Sequence, residues 1–298
     1  MHKLKLIATA LCFIAAVVVP ALRSSWASPT TVPTNAVTAP AVPLRVVIYD
    51  DGGAPDRSFE FVQHCLGLVR PQDYSITRIK GQDVREGILD SADVVVFPGG
   101  SGSGQAKSLQ EAGRQKVREF VKNGGGYLGI CGGSYLATSD YSWSLNIVNA
   151  VVVDRKHWAR GRATLRLDFT PLGKQLLGVP TDSVDCLYHQ GPLLAPDTNP
   201  DLPAYEPLAT FGTEVAENGA PKGVMIGTNA IVRTVFGKGH VILISPHPEQ
   251  TEGLDYIIRA AVKWISEPEA VANPLTGGDT NAKAAMKATP TTQSVSAR

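Results

Sequence analysis

The chemistry in this chain centres on a cysteine between small residues, Gly129-Ile130-Cys131-Gly132-Gly133. The apolar run Tyr127–Ile130 reads as a buried strand leading into Cys131, and a helix is expected after it. A nucleophile on a sharp strand-to-helix turn needs small neighbours, because larger side chains clash where the chain reverses. The N–H groups opening the helix favour thiolate over thiol, and the Gly132 N–H is placed to hold a developing oxyanion. The alternative is a glycine-rich turn around an inert buried cysteine. A second motif, Pro246-His247-Pro248-Glu249, follows the apolar run Val241–Ser245. It offers a base for the thiol and a carboxylate to orient that base. In a third, Phe97-Pro98-Gly99-Gly100, the bare backbone of Gly99 and Gly100 can donate another oxyanion N–H. A fourth, Asp50-Asp51-Gly52-Gly53, either rims the same pocket through Asp51 or merely turns the chain. His189, at the end of Val184–Tyr188, either contacts substrate or is a hydrogen-bonded structural histidine. His2, His64, His157 and His240 have no ligand-like spacing with one another or with the cysteines, so no metal and no cofactor are expected.

These motifs need strands to carry them. Leu44–Tyr49 and Tyr74–Ile79 read as strands, with a helix at Ser58–Val69 between them. Asp93–Phe97 is apolar after its first residue, as suits a strand buried on both faces of a parallel sheet. Ala106–Lys122 has amphipathic helical spacing and is closed by Asn123 and three glycines. From about Ile147 to Gly239 the pattern is richer in strands, with candidates at Ala150–Val153, Ala163–Leu167, Val184–Tyr188, Gly223–Ile226 and Ile231–Val235. Val241–Ser245 and a helix at Leu254–Ile265 finish the series. Strand–helix alternation with such an insertion implies an α/β, flavodoxin-like three-layer sandwich with a mostly parallel central sheet and a strand-rich insertion. In sheets of this kind reactive groups gather beyond the carboxyl ends of the strands, where all four motifs fall.

The order of Phe97-Pro98-Gly99-Gly100, Gly129-Ile130-Cys131-Gly132-Gly133 and Pro246-His247-Pro248-Glu249 resembles the class I glutamine amidotransferase-like superfamily. Within it the chain is similar to the amino-terminal domain of biotin–protein ligases. That likeness rests on Tyr49-Asp50-Asp51-Gly52, on Gly126–Cys131 continuing to Gly133-Ser134-Tyr135, and on Tyr188-His189-Gln190-Gly191-Pro192. The resemblance spans about Leu44 to Ile265 and implies Cys131 as nucleophile, His247 as base and Glu249 as its orienter. One departure matters. Glutamine-using members carry Gln four residues after the nucleophile, where this chain has Tyr135, so free glutamine is not the expected substrate. Nor is biotin ligation expected, since no segment resembles the ligase's own catalytic domain; Arg160-Gly161-Arg162 resembles part of its adenylate loop only by coincidence. A cysteine-dependent amidase or hydrolase and a non-catalytic ligand- or partner-binding domain both remain open.

The 298 residues are 43% hydrophobic, enough for one large α/β domain, read at 44–266. Basic and acidic residues number 28 and 27, a net charge of +1, and without a basic run no nucleic-acid partner is expected. Lys3 and Lys5, the apolar run Leu6–Leu22 and Ser25-Trp26-Ala27 read as an export signal over 1–27, with a membrane anchor as the alternative. The mature protein is therefore expected in the periplasm or secreted, acting on a small molecule. Residues 28–43 read as a flexible linker and 267–298 as a disordered tail. Three cysteines follow the signal, and in an oxidising compartment one economical arrangement pairs Cys65 with Cys186 and leaves Cys131 free.

Overall fold

The structure is a computed structural model that describes residues 42–267. Apart from Val42, Pro43 and Glu267, the expected signal, linker and tail lie outside the described residues.

In chain order the strands are β1 Leu44–Tyr49, β2 Tyr74–Ile79, β3 Val94–Phe97, β4 Gly126–Ile130, β5 Ala150–Val153, β6 Arg162–Phe169, β7 Ser183–His189, β8 Leu193–Pro196, β9 Glu206–Phe211, β10 Asn229–Phe236 and β11 Gly239–Ile244. The helices are α1 Ser58–Gly67, α2 Gly81–Arg85, α3 Gly102–Lys122, α4 Gly132–Ala137, α5 Pro171–Leu177 and α6 Asp255–Ile265. The strands join in one sheet ordered β2-β1-β3-β4-β11-β10-β9-β6-β7, with β8 attached to β10 and β5 to β8. From β2 to β11 neighbouring strands run parallel, in the strand order of a flavodoxin-like sheet. Beyond β11 every pairing is antiparallel, so the expected insertion extends the same sheet instead of forming a separate layer.

Alternating side chains in the strands feed two cores, one on each face. Val46 and Ile48 of β1 and Ile242 and Ile244 of β11 pack with Phe59 and Leu66 of α1 and Ile257 and Val262 of α6. Val47, Tyr49, Val241 and Leu243 point the other way, onto Val84 of α2, Leu109 and Val117 of α3 and Leu136 of α4. This is the three-layer arrangement expected from the sequence, and β1, β3, β4 and β11 owe their near-continuous apolar runs to being covered on both faces.

The differences from expectation have local causes. α3 begins four residues earlier than its apolar spacing indicates, because Ser101 caps it by accepting the Gly104 N–H at 3.1 Å. It also bends at Gln110 (φ 57°), where Arg85 and Arg114 donate to the carbonyls of Ser108, Leu109 and Ala106. The run Gly223–Ile226 is not a strand. Gly223 and Gly227 both have left-handed φ, and the segment turns between them with Met225 buried and Ile226 outside. β9 was hidden by Pro207, which sits opposite Val232 where the β9–β10 register shifts.

Candidate active site

β1, β3, β4 and β11 end side by side, and the loops leaving those ends build the site. Cys131 follows β4 at φ 47°, ψ −96°, a conformation that costs a non-glycine residue about 1–3 kcal/mol. The turn is held by its surroundings. The Cys131 N–H donates to the Ile244 carbonyl of β11 at 2.8 Å, and the Cys131 carbonyl accepts from Ser134 and Tyr135 at 3.0 and 3.1 Å. Gly133 lets the elbow close on β3, since a Cβ there would lie 2.0 Å from the Phe97 carbonyl oxygen.

His247 leaves β11 with its N–H bonded to the Leu187 carbonyl of β7 at 2.7 Å. Its Nδ1 lies 2.7 Å from Glu249 Oε1, and both side chains are buried. Gln250 donates to the same Glu249 oxygen at 3.0 Å. With the proton on Nδ1 donated to Glu249, Nε2 is left to exchange a proton with a neighbour, and it has no hydrogen-bond partner in its buried position. That neighbour is Cys131. A Cβ added at Gly99 would lie 2.8 Å from His247 Cε1 and 3.7 Å from Cys131 Cβ, so Gly99 packs against both. Burial pulls the imidazole pKa down, but the Glu249 carboxylate and the Cys131 sulfur outweigh it and hold it well above 6.5. The Cys131 thiol itself donates to the His189 carbonyl at 3.5 Å.

The loop after β3 supplies the oxyanion candidates. Gln105, fully buried on α3, donates to the Pro98 and Gly99 carbonyls at 2.9 and 3.5 Å, and the Gly133 N–H also reaches Pro98 O. In a trans peptide the N–H points opposite to the carbonyl, so this clamp turns the Gly99 and Gly100 N–H groups away from Gln105. Gly132 opens α4 with an N–H that has no partner inside its helix, and it packs on the Gly100 backbone, where a Cβ would come 2.6 Å from Gly100 O.

Above Cys131 lies a cavity of about 950 Å³ lined by Gly99, Gly100, Cys131, Tyr135, His189 and His247, with one wall from Tyr141, Trp143, Arg155, Lys156 and Trp158. Tyr135 donates its hydroxyl to the Gln190 carbonyl at 3.2 Å. It therefore braces the β7–β8 loop. His189 contributes its carbonyl and its ring; partial desolvation of the ring, then the charges of His247 and Arg162, lower its pKa.

Asp51 does not rim this cavity. Its carboxylate accepts from Ser108 Oγ at 2.6 Å and from the Gly81 N–H at 3.0 Å, tying the end of β1 to α2 and α3. The Cys65–Cys186 pairing, one of the arrangements the sequence left open, is not formed: Cys65, Cys131 and Cys186 are free thiols. Cys65 approaches the Glu249 carbonyl at 4.0 Å and Cys186 the Thr251 hydroxyl at 3.6 Å, and burial above all pushes each up to about 12. Sequence reading missed Gln105, Gln250 and the aromatic and basic wall. Gln250 adjoins the His–Glu motif and was open to notice, whereas nothing around Gln105 marks it. Among the described residues no group of three or more His, Cys, Asp or Glu could hold a metal ion.

Known proteins are similar to this chain in part of its sequence and in its fold. Residues 44–159 match the family described as biotin-protein ligase, N terminal. An uncharacterized protein of Chlamydia muridarum is 27% identical over 105 residues, which are 33% of this chain and 39% of that one. The biotin–protein ligase of Schizosaccharomyces pombe is 33% identical over 101 residues, 32% of this chain but 15% of the ligase. The chain thus matches well under half the length of these curated relatives. A glutamine amidotransferase of Thermotoga maritima has the same fold, with TM-score 0.50 and 15% identity, covering 75% of this chain and 98% of that structure. The fold is that of a class I glutamine amidotransferase, and the sequence is similar to the biotin–protein ligase amino-terminal domain over residues 44–159.

Proposed function

We propose that this chain is an exported cysteine-dependent amidase or hydrolase acting on a small amide or γ-glutamyl-type substrate. The reading rests on one observation: the strained Cys131 elbow faces a buried imidazole whose Nδ1 is held by Glu249 at 2.7 Å and whose Nε2 is unpartnered. In the proposed sequence Nε2 of His247 takes the Cys131 proton and the thiolate attacks the scissile carbonyl. The resulting oxyanion is held by backbone N–H groups of Gly99, Gly100 and Gly132. His247 then protonates the departing amine, leaving a thioester that water, deprotonated by the same imidazole, hydrolyses. Tyr135 stands at the position where the resemblance would put an amide-binding Gln, and its hydroxyl is bonded to the Gln190 carbonyl, which supports a substrate other than free glutamine.

A second reading, a non-catalytic domain that binds a small ligand or partner, is favoured by the thiol's hydrogen bond to the His189 carbonyl, which suits a neutral thiol. The pH dependence of iodoacetamide alkylation at Cys131, with His247→Ala for comparison, separates the two. Alkylation that stays fast well below the free-thiol pKa of about 8.5 and slows in the variant supports the hydrolase. Slow alkylation indifferent to His247 would leave the binding domain. Export rests on the sequence of residues 1–27 and is checked by fractionating cells and sequencing the mature amino terminus.

A further inference from the structure

We propose that the wall of the cavity is an acceptor for a carboxylate, so that the substrate of the proposed hydrolase carries an acidic group close to its scissile carbonyl. The inference rests on the hydrolase reading and adds the chemical class of what is cleaved.

Arg155 and Lys156 line the cavity together with Cys131 and His247, and Asp56 is its acidic lining residue. The charge on Arg155 has one counter-ion among the described residues, Asp140, at the long limit of an ion pair and shared with two other donors. The nearest carboxylate oxygen, Asp140 Oδ2, is 3.9 Å from its Nε, and the Asp140 carboxylate is already committed to the Thr138 hydroxyl and the Val152 N–H, each at 3.0 Å. Arg155 is nevertheless held in place. Its guanidinium lies 4.1 Å from the centroid of the Tyr141 ring, and Nη1 donates to the Asp140 carbonyl at 3.1 Å. Tyr141 in turn stacks on Trp143, with centroids 4.5 Å apart. A guanidinium stacked on one face and anchored at one nitrogen keeps donors for a planar anion and loses little freedom on binding it. Lys156 is exposed on the same wall and takes part in no ion pair among the described residues. Trp158, 55% exposed in the same wall, gives the apolar part of such a ligand a flat surface.

The test compares two alkylating agents that react with Cys131 by the same displacement and differ by one negative charge, iodoacetate and iodoacetamide. The ratio of their rates is referred to that of N-acetylcysteine amide, a neutral free thiol. The expected ratio exceeds the reference at least about threefold at low ionic strength, and falls toward it at high salt and in Arg155→Gln/Lys156→Gln. A wild-type ratio equal to the reference, or one unchanged in the double variant, overturns the carboxylate acceptor. Failure of the hydrolase reading has a separate signature, an iodoacetamide rate that ignores His247→Ala. Both substitutions are on exposed side chains, and the single Lys156→Gln repeats the measurement without disturbing the Tyr141 stack.

Discussion

Replacing Gly99 with alanine tests whether the closeness of His247 and Cys131 matters. The new methyl would lie 2.8 Å from His247 Cε1, where carbon atoms in contact prefer about 3.5–4.0 Å. One of them must therefore move by roughly 0.7 Å or more. The ring has little room to do so, because its Nδ1 is bonded to Glu249 at 2.7 Å and the His247 backbone N–H is fixed to Leu187 O at 2.7 Å. Forcing an extra methyl into such a place costs about 1–3 kcal/mol of stability. A misplacement approaching 1 Å in a reacting pair lowers rate by up to about 10²-fold, so Gly99→Ala is expected to slow Cys131 alkylation at pH 6 by about 10- to 100-fold. The assay is iodoacetamide incorporation at Cys131 by mass spectrometry, with circular dichroism to verify folding. Gly67→Ala is the control, since nothing lies within 4 Å of the added methyl there. A folded Gly99→Ala protein that alkylates at the wild-type rate would show that the pair does not act as a unit.

Glu249→Gln removes the largest charge that raises the His247 pKa, so the alkylation profile should shift to higher pH. The same group has a stability signature. With a folded pKa above 6.5, His247 contributes fully below pH 6.5 and loses its contribution as pH rises through the folded value; urea melts should show the wild-type advantage over Glu249→Gln shrinking across that window. Gln105→Leu frees the Pro98–Gly99 carbonyls, and should slow acylation by a p-nitrophenyl ester about tenfold or more while slowing iodoacetamide, which forms no oxyanion, far less. Because Cys65 and Cys186 are free, both should be labelled by a maleimide in protein denatured without reductant; a missing pair of labels would restore the disulfide. Arg160→Leu removes one of the two 2.6 Å partners of Asp154, leaving His157 in place, and should cost about 1–3 kcal/mol by urea unfolding.

The chemistry was legible where it is local. Each motif of the proposed triad occupies a few consecutive residues at a strand end, and an apolar run marks the strand that delivers it. Cys131 after β4 and His247 after β11 could therefore be assigned to one edge of a parallel sheet without coordinates. Within that edge, the sequence also indicated why glycines flank Cys131, since the reversal at φ 47° leaves no room for side chains against Phe97.

What stayed hidden depends on contacts between distant segments. Asp51 reads as a pocket residue by its place after β1, yet Ser108 and Gly81, 57 and 30 residues away, take its carboxylate and turn it into a buttress. Gln105 becomes important only because α3 lays it under the Pro98–Gly99 peptides. The cavity wall has the same character: Arg155 gains meaning from a ring contributed by Tyr141 and from an Asp140 already bound to β5. The triad motifs that resemble relatives are thus the locally readable part, while the residues that would choose a substrate are set by packing of the insertion. This division explains why the sequence indicated a candidate nucleophile more readily than a substrate, and it puts the search for specificity in residues 139–158, which supply Tyr141, Trp143, Arg155, Lys156 and Trp158 to the lining of the cavity.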